Sequence, residues 1–539
     1  MNTMIKWFGT LVCLGIAVGS VAAEGLHEAE EYYKCGLYTP AKNVLLKLLD
    51  DPVNPAAEVC YYLGEVYFEE GKCDSAAYYY QKGEEADVTY VLNQVGKGKV
   101  ALKEKPEEAA AIFNGVLSGR NKKNPELLIA IARAYATQSP AQAMDYIQRA
   151  KAVDDHYAGT YVLEGDMLAT TGNKHGDACS KYEQAIYFDP ACVEAYVKYA
   201  RIYGTANPQT GIEMLQRILT KTPECMPARR EMAEICYGHS RYKEAAEAYK
   251  ACLNSGCCTP RELTRYATVL FYYGDFKQSL ELTGQILDSA PENVVASRIK
   301  MYDLYALKEY EKGMAHAEQF FKQLKAEEVI GQDYLYYGRL LQAQKQYEQA
   351  IVSLKQALSA DSTHKEVNKE IAEDWEKLNQ YDSAIVYYTT YIGQGGKEIN
   401  TADYYQLGKC YYYASATVDS TEAGLALRTA RLQAADSIFA LIATNRPDSY
   451  VGNFWRARAC ASLDPETEKG LAQPYYEGAA AILEKNAPGN ARMLIECYSY
   501  LGYYYYLKNN PEQSKSYWNK ILALDPENDV AKKALEGIK

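Results

Sequence analysis

Phenylalanine is scarce. The 539 residues hold 10 Phe against 51 Tyr. A core of bare aromatic rings needs no such bias, and tyrosine suits surfaces that are half apolar and half wet. Histidine is scarce as well. His27, His156, His175, His239, His316 and His364 are scattered, and none sits in an H-E-x-x-H pair, so they spell out no metal or proton-transfer motif. The G-x-S-x-G turn that presents a hydrolase serine is missing. Gly393-Gln394-Gly395-Gly396-Lys397 is followed by Glu398, where a phosphate-binding loop needs Ser or Thr. Gly96-x-Gly98-x2-Ala101 follows no strand pattern and falls inside a helical register, so it is no dinucleotide loop. No catalytic residue, no cofactor-binding residue and no metal ligand is assigned, and the chain is read as a non-enzyme.

Positive charge is also in short supply. Lys and Arg total 58 against 70 Asp and Glu, a net charge of −12. Without a basic stripe, nucleic acid is not expected as the main partner. Long apolar runs are confined to the first 23 residues. There Lys6 precedes the run Trp7–Gly19, and Val21-Ala22-Ala23 supplies small residues for cleavage. Residues 1–23 are read as a signal peptide, with export to the periplasm expected. The alternative, an uncleaved anchor, requires a longer run. Of the 14 cysteines all but Cys13 follow this segment, an odd number that cannot all pair internally. Free thiols in an exported chain point to a compartment with little thiol oxidation. Cys60, Cys236, Cys252 and Cys460 fall on inward helical positions, where a thiol acts as a small hydrophobe. Cys257-Cys258 lies in a loop without a second pair, and a metal or redox role there is only the minor alternative.

A repeated pattern fills the rest. Near the end stand Tyr498-x2-Leu501-Gly502-x2-Tyr505, then Ser514-x3-Trp518, then Pro526. The first group recurs at three and four, one face of a helix, and Gly502 lets a neighbouring helix approach. Asn509-Asn510-Pro511 ends that helix and starts the next. The same signature opens Tyr61-Tyr62-Leu63-Gly64-x2-Tyr67 and Tyr404-x2-Leu407-Gly408-x2-Tyr411, and Tyr161-x3-Gly165 with one extra residue near His175. Turns at Lys308-Glu309-Tyr310, Lys345-Gln346-Tyr347 and Asn379-Gln380-Tyr381 mark weaker copies. About fifteen residues are inserted near 415–430 before Ala435-x3-Phe439, with Ser420 expected to cap extra turns on that second helix. This spacing resembles the tetratricopeptide repeat (TPR), a unit of about 34 residues with two helices. The reading is an all-α superhelix of about fourteen TPR-like pairs. Residues 24–291 form the N-terminal repeats, 292–529 the C-terminal repeats, and 530–539 a capping helix.

The resemblance implies a right-handed solenoid whose first helices line a concave groove for a peptide or protein segment. Repeat register turns Tyr405, Tyr412, Tyr413, Tyr503 and Tyr506 toward that groove, with Phe271, Tyr272, Tyr302 and Tyr305 midway and Tyr61 and Phe68 near the start. Arg339, Lys409, Arg458 and Glu65 are interspersed. Tyrosine gives contact area with few torsions to freeze. Alanine at Tyr405, Tyr412 and Tyr503 together is expected to abolish capture without lowering the melting temperature. A Lys–Asn clamp for a terminal carboxylate is not found, because Glu373 follows Lys369 by one helical turn and would repel one. The expected function is a protein-interaction scaffold of the bacterial cell envelope, and the alternative is a carbohydrate or peptidoglycan binder that stacks sugars on the groove tyrosines.

Overall fold

A computed structural model describes residues 25–50, 54–255, 258–396 and 399–538. Residues 1–23 and Cys257 therefore lie outside the described residues, as do Lys397 and Glu398. Among the described residues there is no strand. The helices pair off into fourteen helix–turn–helix units, from residues 25–34 with Tyr38–Leu49 to Ala491–Leu507 with Pro511–Leu524, followed by a terminal helix, Asp529–Gly537. That last helix buries Ala531 and is capped by Asn528, whose side chain accepts from the Ala531 amide at 3.1 Å. The chain divides into two compact units between Asp303 and Leu304, within the helix Val294–Ala306 and beyond the 291/292 division read from the sequence.

One steric device builds most pairs. A glycine on the leading helix leaves room for an aromatic or leucine side chain of the following helix. A Cβ on Gly502 would lie 2.7 Å from the Trp518 ring, and one on Gly408 equally near Phe439. Gly64 meets Tyr80, Gly338 meets Leu354 and Gly165 meets Tyr182 in the same way. The partners stand sixteen residues apart in Gly64–Tyr80, Gly338–Leu354 and Gly502–Trp518. Gly165–Tyr182 is one longer, which locates the extra residue near His175. Gly408–Phe439 is fifteen longer. That insertion lies in the connecting turn and in extra turns of the helix Glu422–Asn445, which runs 24 residues. Its cap is Thr421, accepting from the Gly424 amide at 3.1 Å, not Ser420 as expected, because the chain stays extended through Thr421. Four residues before each large partner comes a small one with no exposure, as in Ala76, Ala178, Ala350, Ala435 and Ser514. Gly96 belongs to this packing too, since Tyr80 is held between Gly64 and Gly96.

Several turns run through the left-handed region that favours glycine. Gly71 and Gly274 take it at φ 78° and 93°, but Lys308 and Lys345 take it at 61° and 60°. A side chain with a Cβ is strained there by about 1 kcal/mol. Lys308→Gly and Lys345→Gly are expected to stabilise the protein by about 0.5 kcal/mol each, after the entropy glycine adds to the unfolded chain. A rise in the urea midpoint checks this, and a fall at either site would refute it.

Candidate protein-binding surface

The aromatic residue at the heart of many pairs is a tyrosine, and its hydroxyl has a fixed task. Tyr80 donates to Glu65 at 2.6 Å, Tyr182 to Asp166 at 2.9 Å, Tyr249 to Glu234 at 2.7 Å and Tyr388 to Glu376 at 3.2 Å. Each carboxylate in turn meets a cation from the leading helix of the next pair. Lys99 reaches Glu65 at 3.0 Å, Lys198 reaches Asp166 at 2.6 Å, Lys409 reaches Glu376 at 3.3 Å, and Arg265 pairs with Glu234. Tyrosine, acid and base thus form a relay that crosses from one pair to the next, at the spacing of one repeat. A buried hydroxyl needs a partner, and a carboxylate near the core needs both hydrogen bonds and a counter-charge. Part of the tyrosine excess is therefore structural, and Phe could not replace these residues.

The relays change the reading of the charged groove residues. Arg339 forms a two-nitrogen contact with Glu370, the closest at 2.6 Å. Arg458 clamps Glu496 at 2.7 and 2.6 Å and lies 4.8 Å from the centre of the Trp455 ring. Lys369 pairs with Asp403 at 2.7 Å, so its cation is engaged within the fold. Arg339, Lys409 and Arg458 are half-buried and join consecutive leading helices, so their charge is matched within the fold.

The groove aromatics fall into three groups. Phe271 and Tyr302 are buried, with ring centres 5.5 Å apart, and this corrects their assignment to the groove: the two rings pack on each other between the helices Pro260–Tyr273 and Val294–Ala306. Tyr305 is half-buried against Tyr310 and Tyr336. Tyr405 and Tyr412 are half-buried, edge-on to Trp455 at 5.8 and 5.5 Å. Trp455 also stacks on Phe439. Alanine at Tyr405 or Tyr412 would open this cluster, so neutrality in melting temperature cannot hold for the triple substitution. The exposed group contains Tyr413 at 36%, Tyr272 at 45%, Tyr503 at 45% and Tyr506 at 50%, with Leu507 beside them. Tyr272 is stacked on Tyr242. Tyr503 and Leu507 follow Glu496 by seven and eleven residues, which puts them on the helix face that carries the Arg458–Glu496 pair. Tyr506 flanks that face.

In the first unit the corresponding face is enclosed. The helix of residues 25–34 packs against pairs far along the chain. The Tyr32 ring lies 5.3 Å from the Arg230 guanidinium, and Arg201 donates to the Cys35 carbonyl at 3.2 Å. Behind this helix is a cavity of about 460 Å³, lined by the leading helices of successive pairs up to Glu194. Tyr61 and Glu65, read as groove residues, are buried in its wall. Phe68 is half-buried, with the Lys99 and Lys103 ammonium groups over its ring at 4.3 and 4.9 Å. Glu194 anchors the far side. It holds Lys198 at 2.6 Å and Arg133 at 3.3 Å. Burial alone would raise its pKa, but Lys198 and Arg133 outweigh burial and hold it at about 2. No local pattern marks Glu194 or Arg133, because their contact spans 61 residues.

The four cysteines assigned inward, Cys60, Cys236, Cys252 and Cys460, are buried. Burial pushes the Cys236 thiol to about 11 and the Cys460 thiol to about 12, which leaves little thiolate at neutral pH. Cys258 is half-buried. Asp154, Asp155 and His156 cluster within ligand distance, but all three are exposed. Among the described residues no helix is long and apolar enough to cross a membrane.

Helix pairs locked by a glycine against a large side chain, at a recurring spacing of sixteen residues that lengthens at the insertions, fit a TPR-type repeat protein. Among solved structures, the chain is similar to the C-terminal part of a TPR repeat-containing protein from Cytophaga hutchinsonii, with 27% identity over 50% of this chain and 99% of that one and a TM-score of 0.41. It is similar to a tetratricopeptide repeat protein from Parabacteroides merdae, with 13% identity over 59% of this chain and 98% of that one and a TM-score of 0.27. It is also similar to pilF of Pseudomonas aeruginosa, with 16% identity over 45% and 95% and a TM-score of 0.28. No family model and no curated protein matches the sequence. Helical-repeat architecture of this type serves protein–protein interaction in general.

Proposed function

We propose that this chain is a non-enzymatic scaffold of the bacterial cell envelope. It is exported through residues 1–23, and it binds a protein or peptide segment along the leading helices of the second unit. One observation carries the binding reading. On that face the cations are engaged in ion pairs within the fold, while Tyr413, Tyr503, Tyr506 and Leu507 keep large apolar surface in water. Exposed aromatics beside satisfied charges form the kind of patch that anchors a partner.

The test uses Tyr503→Ala/Tyr506→Ala in the full chain, with a photo-crosslinking residue at Leu507 in both backgrounds. Wild type is expected to crosslink one defined envelope protein, the double variant to lose it at least tenfold, and the melting temperature to stay within about 2 °C, since exposed side chains contribute little to stability. Equal crosslinking by both proteins would sink the proposal. Retention of purified peptidoglycan, with no protein adduct, would transfer these tyrosines to the glycan reading.

A further inference from the structure

The cavity of the first unit is a place for a ligand that the scaffold reading does not use. Its lining contains three permanently charged cations, Lys34, Lys99 and Arg133. All three are already matched. Lys34 pairs with Glu30 at 2.5 Å, Lys99 with Glu65 at 3.0 Å and Arg133 with Glu194 at 3.3 Å. Four further acids of the lining are left over. Glu31 has only the exposed His27 ring at 3.6 Å, and Glu126 has no cation within ion-pair reach among the described residues. Asp154 and Asp189 accept only backbone amides, at 2.9 Å each, which leaves their charge uncompensated. The surplus charge in the wall is negative, and a cleft lined by charge of one sign draws in ions of the other.

The rest of the wall is aromatic. Tyr61 and Tyr62 meet edge-on at 5.1 Å, and Tyr33 is tilted against Tyr62 at 5.9 Å. Tyr61 is nine-tenths buried, yet its hydroxyl has no hydrogen-bond partner among the described residues, although it stands in the cavity wall. The neighbouring hydroxyls of Tyr33 and Tyr80 are both spent on Glu65. An acceptor oxygen, inclined ring faces and unpaired carboxylates together suit an organic cation. The volume of about 460 Å³ is far larger than a metal ion needs and falls in the range of small-ligand sites, roughly 300–1,000 Å³.

We propose that this cavity binds an alkylammonium or guanidinium cation, seated among Tyr33, Tyr61 and Tyr62 and paired with Glu31 and Glu126. The cation is a Lys or Arg side chain of a peptide, or a free polyamine. Calorimetric titration of the full chain with a penta-lysine peptide and with spermidine tests this. The fully acetylated peptide serves as the uncharged probe. Binding of both cations, or of one, with none of the acetylated peptide, supports the site, and the pattern identifies the source. Glu31→Gln/Glu126→Gln is expected to weaken binding at least tenfold with an unchanged melting curve. The control Glu466→Gln/Glu512→Gln removes two exposed acids of the second unit and is expected to leave binding intact. The proposal is overturned if wild type binds neither cation at millimolar concentration, or if both variants weaken it equally. Tyr503→Ala/Tyr506→Ala is expected to retain cation binding, so the two proposals fail separately.

Discussion

Tyr80→Ala is expected to lower the unfolding free energy of the first unit by about 4 kcal/mol, within the usual range for removing a buried aromatic. Two losses combine. The ring is fully buried between Gly64 and Gly96, where neither backbone carries a side chain that can move into the space. The cavity therefore stays open. The hydroxyl also holds Glu65, a buried carboxylate that would then keep only Tyr33 and Lys99 as partners. Tyr80→Phe separates the two effects. It keeps the ring and removes only the hydrogen bond, so it should lose about 1–2 kcal/mol. In a repeat protein each pair is stabilised by its neighbours, so damage spreads along one stack. Hydrogen exchange should accelerate in the helices Ala56–Glu69 and Leu92–Ala101 and stay unchanged in Ala491–Leu507. A loss below 1 kcal/mol for Tyr80→Ala would show that the glycine-flanked slot closes, against the reading of Tyr80 as the centre of its pair.

This slot also shows which parts of the molecule could be read from sequence. Gly502 and Trp518, in the matching slot near the end of the chain, stand at a spacing the repeat dictates, so that pair was legible, as were the extra residue near His175 and the insertion before Phe439. The small residues Ala435 and Ser514, four positions before Phe439 and Trp518, followed from the same register. The groove was less legible. Register places Arg339, Lys409 and Arg458 on leading helices, but the acid that neutralises each lies one repeat away, where a single repeat gives no signal. Phe271 and Tyr302 occupy groove-like positions in register, yet how closely neighbouring helices pack decides their exposure, and register does not carry that distance. The closure of residues 25–34 onto Arg201 and Arg230 was beyond reach. It depends on the small rotation between each pair and the next, summed over several pairs. The cavity exists only because of that sum.

Raising the pH should destabilise this protein through Asp303 and Asp374, and lowering it should do so through Glu194, with Asp303 carrying the largest effect. Its side chain is fully buried in the helix Val294–Ala306, and neither oxygen has a hydrogen-bond partner among the described residues. Ser279 pulls the other way, but its hydroxyl donates to the Ala267 carbonyl at 3.0 Å. Burial therefore raises the Asp303 pKa to about 8. In the unfolded chain the same group titrates near 3.9. Between these values the folded state binds the extra proton, so stability falls as pH rises from about 4 to about 8 and then levels off. Asp374, raised to about 7 by burial, adds to the same slope in the second unit. Glu194 has the opposite sign. Its folded pKa of about 2 lies below the unfolded value near 4.3. Its contribution is present above that value and disappears as pH falls toward 2. Asp303→Asn cannot ionise. It should remove about 2 kcal/mol or more of the loss between pH 5 and pH 9, a discounted share of a shift of this size. Urea titrations of both proteins at pH 5, 7 and 9 measure the difference in slope, which does not depend on how well an amide fits the site. Parallel profiles would show that Asp303 ionises freely in the folded chain, and that water reaches a carboxylate the packing closes off.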